Sequence, residues 1–279
     1  MGMRFARPHP ASLGEIDHIT RAFVHAAVYL EKAGFDGIEI HAAHGYLIAQ
    51  FLSPSTNKRQ DEYGVNLRGR SKLLLDIVSG IRKTVSSTFI VGVKLNSVEF
   101  QTGGIRTEEI VDLCLSLEAA QVDFVELSGG TYEAMGFTHR NESTRKREAY
   151  FLEFAKTIVP ALHKTKIYLT GGFRTAGAIV SALGTVNGIG LGRPLCQKPS
   201  LCDEILSNAV TGAPKLLIDE NNTSLTNAAA VLQMRKLGNG EQNFDLTRES
   251  DVKAVLEELS STQKSSAQKR SDKGLTANL

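Results

Sequence analysis

Two histidines and a tyrosine stand close together in Gly37-Ile38-Glu39-Ile40-His41-Ala42-Ala43-His44-Gly45-Tyr46. The apolar, β-compatible residues that lead to His41 read as a buried strand. In parallel α/β folds, ligands collect beyond the carboxyl ends of such strands. Paired neutral imidazoles at that end are good donors to one carbonyl or nitro oxygen. That polarises a conjugated carbon for attack, the logic of an oxyanion hole. Tyr46 is a candidate proton donor, and Gly45 gives the chain a tight exit. An HxxH pair also suits a metal, but the sequence offers neither HExxH nor a cysteine partner as a third ligand, so no metal is expected.

Two further clusters carry chemistry. Thr170-Gly171-Gly172-Phe173-Arg174 and Gly190-Leu191-Gly192-Arg193-Pro194 each close a predicted strand. Glycine N–H groups, a helix N-terminus and an arginine make a phosphate site of the kind found after the last two strands of (β/α)₈ barrels. The plainer alternative is a pair of tight packing turns. Lys94 sits inside the apolar run Phe89–Leu95. A buried cation needs an anionic or electron-rich partner. Facing a ligand, Lys94 stabilises negative charge developing on a cofactor ring; on a half-exposed strand it is merely solvated. The polar loop Gln50–Gly64 reads as structural, with Arg59 and Asp61 as an internal tie.

The elements that must position these residues alternate regularly. Ser12 and Glu15 form a capping box ahead of Ile16, Ile19, Phe23, Ala26, Ala27 and Leu30 at helical spacing. The predicted order continues with strand Phe35–His41, helix 67–85 and strand Phe89–Leu95. Helix Thr107–Ala120, capped by Thr107, and strand Val122–Ser128 follow. Then come helix Glu148–Leu162, strand Lys166–Thr170, helix Thr175–Leu183 and strand Val186–Leu191. Short apolar strands alternating with helices predict an α/β fold with a parallel sheet and right-handed crossovers. Five βα units are present, where a closed barrel takes eight. Residues 1–215 are read as this partial barrel and 216–259 as a helical extension packed through Val252, Val255 and Leu256. Residues 260–279, rich in Ser, Gln, Lys and Ala, are read as a disordered basic tail.

The 279 residues are 42% hydrophobic and 22% charged, ordinary for a globular protein. The net charge of +2 arises in the tail, whose local +3 leaves residues 1–259 at −1, so no nucleic-acid footprint is present. No apolar run approaches the ~20 residues of a membrane span, and no signal-like segment opens the chain. A cytoplasmic protein is expected, with Cys114, Cys196 and Cys202 as reduced thiols.

Taken together, these residues resemble the old yellow enzyme family, the flavin-dependent ene-reductases also called NADH:flavin oxidoreductases. The resemblance runs from about Phe5 to Pro214. It is carried by Ala33-Gly34-Phe35-Asp36-Gly37, the His41–Tyr46 motif, the Gln50–Gly64 loop, Arg145-Lys146-Arg147-Glu148-Ala149-Tyr150-Phe151, and the two glycine-rich strand ends. It implies a TIM barrel holding FMN non-covalently, with NAD(P)H as reductant and an electron-poor alkene as substrate. By resemblance, His41 and His44 bind the activating oxygen and Tyr46 protonates the α-carbon. Lys94 lies against the pyrimidine edge of the flavin. Gly171, Gly172, Phe173, Gly192 and Arg193 hold the phosphate. The family usually has YGG followed by NR, where this chain has Tyr63-Gly64-Val65 and then Gly69-Arg70. It also implies that the five units correspond to strands 4 to 8, without strands 1 to 3 and their contacts to the flavin ring. Open edges then favour self-association, with a homodimer as one means of closure. A truncated, inactive remnant or interaction module that keeps only the phosphate half-site is the alternative.

Overall fold

Every second residue of the short apolar runs packs beneath helices, and that alternation builds a parallel sheet. The structure is a computed structural model that describes residues 7–99, 102–130, 151–220 and 222–272, with side chains described as far as 261. Its strands are β1 (Gly37–Ala42), β2 (Ile90–Val98), β3 (Phe124–Gly129), β4 (Lys166–Thr170) and β5 (Gly188–Gly190). They pair in the order β1-β2-β3-β4-β5, all parallel. The α/β expectation holds, and among the described residues the sheet has five strands.

Ile40, Ala42, Val91, Val93, Leu95, Val125, Leu127, Ile167 and Leu169 are buried on one face. Helices before and between the strands supply its cover. They are α1 (Leu13–Lys32), α2 (Leu47–Leu52), α3 (Leu67–Arg82), α4 (Thr107–Ala119) and α5 (Leu152–Ile158), which ends in a 3₁₀ turn at Val159–Ala161; α6 (Ala176–Leu183) lies between β4 and β5. Leu73, Leu74, Ile77, Val78 and Ile81 of α3 are fully buried, each contributing about 1.5–3 kcal/mol relative to exposure. The capping box of α1 is formed, with Ser12 N–H donating to Glu15 Oε2 (2.7 Å) and Glu15 N–H to Ser12 Oγ (3.3 Å).

Local boundaries differ from the sequence reading for physical reasons. Arg106, not Thr107, caps α4, because Glu109 reaches back to the Arg106 N–H (3.2 Å) and takes the capping role. Strand β2 runs on to Val98, because Asn96 and Ser97 find polar partners while buried. The Glu148–Tyr150 start of the predicted helix Glu148–Leu162, and Arg145–Tyr150 of the resemblance, lie outside the described residues.

Contacts divide the chain into two compact units. The first comprises residues up to Phe173 with Val180–Gly190, and the second Arg174–Ile179 with Leu191–Leu279. Residues 191–215, read above with the barrel, thus group with the helices beyond them. The second unit holds α7 (Arg193–Gln197), α8 (Leu201–Leu206), α9 (Thr223–Gly238) and α10 (Glu249–Asp272). Its core is Ile218, Ala229, Leu232, Leu246 and Val255, with Val252 against it. Leu256, expected to pack, is 43% exposed; the apolar stripe of α10 that meets the core runs through Val252, Val255 and Leu259 instead. Helix α10 continues to Asp272, well past the Ser260 boundary at which disorder was expected. Among the described residues, no helix is long and apolar enough to cross a membrane.

The Gln50–Gly64 loop is tied by its own bonds. Arg59 forks onto Asp61 (2.9 and 2.5 Å) and donates to the Ala11 carbonyl (2.6 Å). Asn57 Nδ2 bridges the carbonyls of Phe51 and Tyr63 (2.7 and 2.8 Å). At its end Val65 has φ 66°, a left-handed conformation that disfavours a β-branched residue. This is the position at which the family usually carries the second glycine of YGG. The expected outcome of Val65→Gly is therefore a gain of about 1 kcal/mol in unfolding free energy, read by chemical denaturation. A loss of stability would contradict the strain.

Candidate active site

The strand register lines up one row of side chains on the face opposite the core. His41 pairs with Lys94, Lys94 with Glu126, Glu126 with Tyr168, and Tyr168 with Gly188. Two residues along each strand, Glu39, Asn96 and Ser128 share that face. Lys94 does not stand alone: its ammonium forms an ion pair with the Glu126 carboxylate, the side chains being 20% and 17% exposed. The sequence reading picks out Lys94 as a charge inside an apolar strand. Glu39 and Glu126 carry the same signature and are absent from it, although the parity of their positions puts them on the same face.

Loss of hydration first, then the neighbouring Glu126 carboxyl, push Glu39 up to about 7, against the pull of Lys94.

The histidines occupy the turn that leaves β1. His44 has φ 61° and Gly45 φ 77°. The His44 backbone N–H donates to Asn96 Oδ1 (3.1 Å), which fixes this left-handed turn from the neighbouring strand. His44 Nε2 lies 2.8 Å from Ser128 Oγ, and His44 Nδ1 lies 3.4 Å from His41 Nε2. Burial is the main reason that the His44 pKa falls to about 4, with the charges of His41 and Lys94 adding to it and Glu126 opposing. His41 is lowered as well, by burial first and then by Lys94. Both rings are neutral at pH 7, and each therefore offers one N–H. Both nitrogens of His44 are engaged, so an incoming oxygen takes its proton by displacing either Ser128 or His41.

Tyr46 sits at the N-cap of α2 with its ring centroid 4.9 Å from that of His41. At 46% exposure its face remains open to solvent. The structure thus brings together His41, His44, Tyr46 and Lys94. Asn96 and Ser128, which hold the turn, carry no sequence signal beyond lying two residues past Lys94 and Glu126.

Gly171 and Gly172 follow directly on β4 with φ 123° and 78°, conformations that glycine alone adopts freely, and Phe173 behind them is buried. These three belong to the first unit. Gly192 and Arg193 belong to the second, where Gly192 caps α7 and Arg193 Nη1 donates to Thr226 Oγ1 (2.6 Å). Arg174 is committed to Glu220 (2.7 Å) and to the Pro214 carbonyl (2.6 Å), a structural role. The donor set fits FMN: a half-buried cation for the electron-rich ring edge, and glycine N–H groups free of side chains for a phosphate. Among the described residues no group of three metal-ligating side chains occurs.

Residues 4–211 match the model of the NADH:flavin oxidoreductase / NADH oxidase family. An NADH-dependent flavin oxidoreductase of Aspergillus parasiticus is 48% identical over 257 residues, covering 91% of this chain and 58% of that protein. One from Hypocrea jecorina is 40% identical over 215 residues, covering 73% and 53%. The chain thus spans about half the length of the curated relatives it matches. Among solved structures, 2-naphthoyl-CoA reductase in complex with 2-naphthoyl-CoA superposes with a TM-score of 0.67 at 27% identity, over 74% of this chain and 32% of that one. Morphinone reductase, at 23% identity and a TM-score of 0.59 over 75% and 53%, shares the fold.

The raised Glu39 carboxyl predicts how stability follows pH. In the unfolded chain it titrates near 4.5 and in the folded chain near 7. The folded state holds the proton longer, so this contribution is complete below pH 4.5 and is lost as pH rises to about 7. Glu39→Gln keeps the shape of the side chain and removes the titration. Relative to the parent, it is expected to gain stability between pH 4.5 and 8; a difference independent of pH would contradict the carboxyl pair.

Proposed function

Because this chain belongs to the NADH:flavin oxidoreductase / NADH oxidase family, we propose that it carries the substrate-activating half of an FMN-dependent oxidoreductase. The reaction is NAD(P)H-driven reduction of the C=C bond of α,β-unsaturated carbonyl compounds. The observation that supports this reading is the neutral His41–His44 pair beside the Lys94 cation on one open face of the sheet. FMN, when bound and reduced by NAD(P)H, supplies hydride to the β-carbon. The chain's own residues do the rest.

His41 and His44 each present one N–H to the carbonyl oxygen. Their depressed pKa values keep them neutral, so they polarise that oxygen without surrendering a proton to bulk acid–base equilibria. A donor of this kind is worth about 10²–10³ in rate. Tyr46, beside His41, delivers the proton to the α-carbon, a contribution of about 10²–10⁴. Lys94 opposes negative charge on the pyrimidine edge. Gly171, Gly172 and Phe173 are assigned to the phosphate and so, by the resemblance, are Gly192 and Arg193. The substrate is a small electron-poor alkene. The free thiols Cys114, Cys196 and Cys202 suit a reducing cytoplasm, and the edge strands β1 and β5 favour a homodimer.

An FMN titration followed by quenching of flavin fluorescence tests the reading. Arg193→Ala is expected to weaken FMN roughly 10-fold or more, as loss of a charged hydrogen bond does. His44→Ala is expected to leave FMN affinity within about threefold while enone reduction falls about 10²–10³-fold. Absence of FMN binding by the parent chain would sink the proposal. Loss of the Tyr46 hydroxyl in Tyr46→Phe is expected to lower enone turnover about 10²-fold or more and leave flavin reduction by NAD(P)H in place, measured separately by stopped flow.

A further inference from the structure

Lys94 has a four-carbon stem and nothing in its own strand to aim it. On a half-exposed position such a side chain samples many rotamers. What restricts it stands one strand away. Glu126 is its register partner on β3, and neighbouring strands lie about 4.8 Å apart, so the two stems rise side by side from the sheet. Their charged ends meet in the ion pair. The Glu126 carboxylate reaches towards Gly190 of β5: a Cβ placed there would stand 3.4 Å from Glu126 Oε1 and 3.2 Å from Thr170. On the other flank, Glu39 of β1 lies near enough to the Glu126 carboxyl to feel its charge. The groups that face the trio are His41 from β1, its neighbour His44, and Tyr168 from β4; β5 contributes only the glycines Gly188 and Gly190.

We propose that Glu126 is a positioning residue that holds the Lys94 ammonium over the centre of the open sheet face, with the Glu39 carboxyl beside the pair on the β1 side. Glu126 touches neither substrate nor cofactor in this account; it acts through Lys94. The ion pair sets a carboxylate against the ammonium, so Lys94 does not stand as an uncompensated charge on the face. The consequence for the flavin rests on the reading of the site given above, and the geometry rests on the sheet alone.

Two measurements separate these. In the chain labelled with ¹⁵N-lysine, the Lys94 side-chain signal is identified by its loss in Lys94→Met. It is expected to be lost or strongly shifted in Glu126→Gln and kept in Glu39→Gln. An unmoved Lys94 signal in Glu126→Gln overturns the proposal, whatever the flavin does. The second measurement is a double-mutant cycle on FMN affinity. Glu126→Gln is expected to weaken FMN about 10-fold in the parent and to have no further effect in the Lys94→Met background. An equal loss in both backgrounds overturns the proposal, because Glu126 would then act independently of Lys94. If the parent binds no FMN while the Lys94 signal responds to Glu126→Gln, the positioning stands and the flavin reading falls. A loss of fold in Glu126→Gln is recognised by collapse of the amide spectrum, and Glu126→Asp then serves. It keeps the charge and shortens the reach, so a displaced Lys94 signal supports the proposal and an unmoved one overturns it.

Discussion

In a parallel sheet each residue stands beside one partner per neighbouring strand, and the face it occupies is set by the parity of its position. Here the odd and even sets have opposite chemistry. Val91, Val93, Leu95, Val125 and Leu127 are sealed beneath helices, which fixes the register because a slip of one residue would expose them. Once that register is fixed, Lys94, Glu126 and Glu39 have nowhere to go but the opposite face, beside His41. The hydrophobic face thus dictates the polar one, and the chemistry follows from a packing constraint.

The electrostatics of the row then form one system. Burial depresses the histidines, Lys94 adds to it, and Glu126 opposes that effect while holding Lys94. Glu39 is raised by loss of hydration first and by the neighbouring Glu126 after it. Neutral imidazoles beside a compensated cation can donate to an oxygen without themselves being charged. The turn that presents them is held by two long-range contacts, from the His44 N–H to Asn96 and from the His44 ring to Ser128. Among the described residues the buried Asn96 amide nitrogen has no partner, and the bond to the turn runs through the side-chain oxygen.

Much of this was legible in the sequence. Short apolar strands between helices announce a parallel sheet, and the Ser12–Glu15 box and the Arg59–Asp61 tie can be read from neighbours in the chain. The histidine turn was legible because His41, His44 and Tyr46 fall within six residues. Glu126, Asn96 and Ser128 were not, because their partners are 32, 52 and 84 residues distant; only the register brings them to the site. The cap of α4 was misplaced by one residue because Thr107 fits the usual preference while Glu109 does the bonding. The end of α10 was misplaced because Ser, Gln, Lys and Ala tolerate helix as readily as coil.

The central claim is that this face of the sheet activates an electron-poor alkene beside a flavin. The most direct measurement is anaerobic: NADH or NADPH is added to the chain with FMN until the flavin's visible band bleaches, and a cyclic enone is then introduced. The account predicts bleaching that depends on the protein, followed by prompt return of the oxidised band with formation of the saturated ketone. A flavin that stays reduced in the presence of the enone, and returns only when oxygen is admitted, would contradict it.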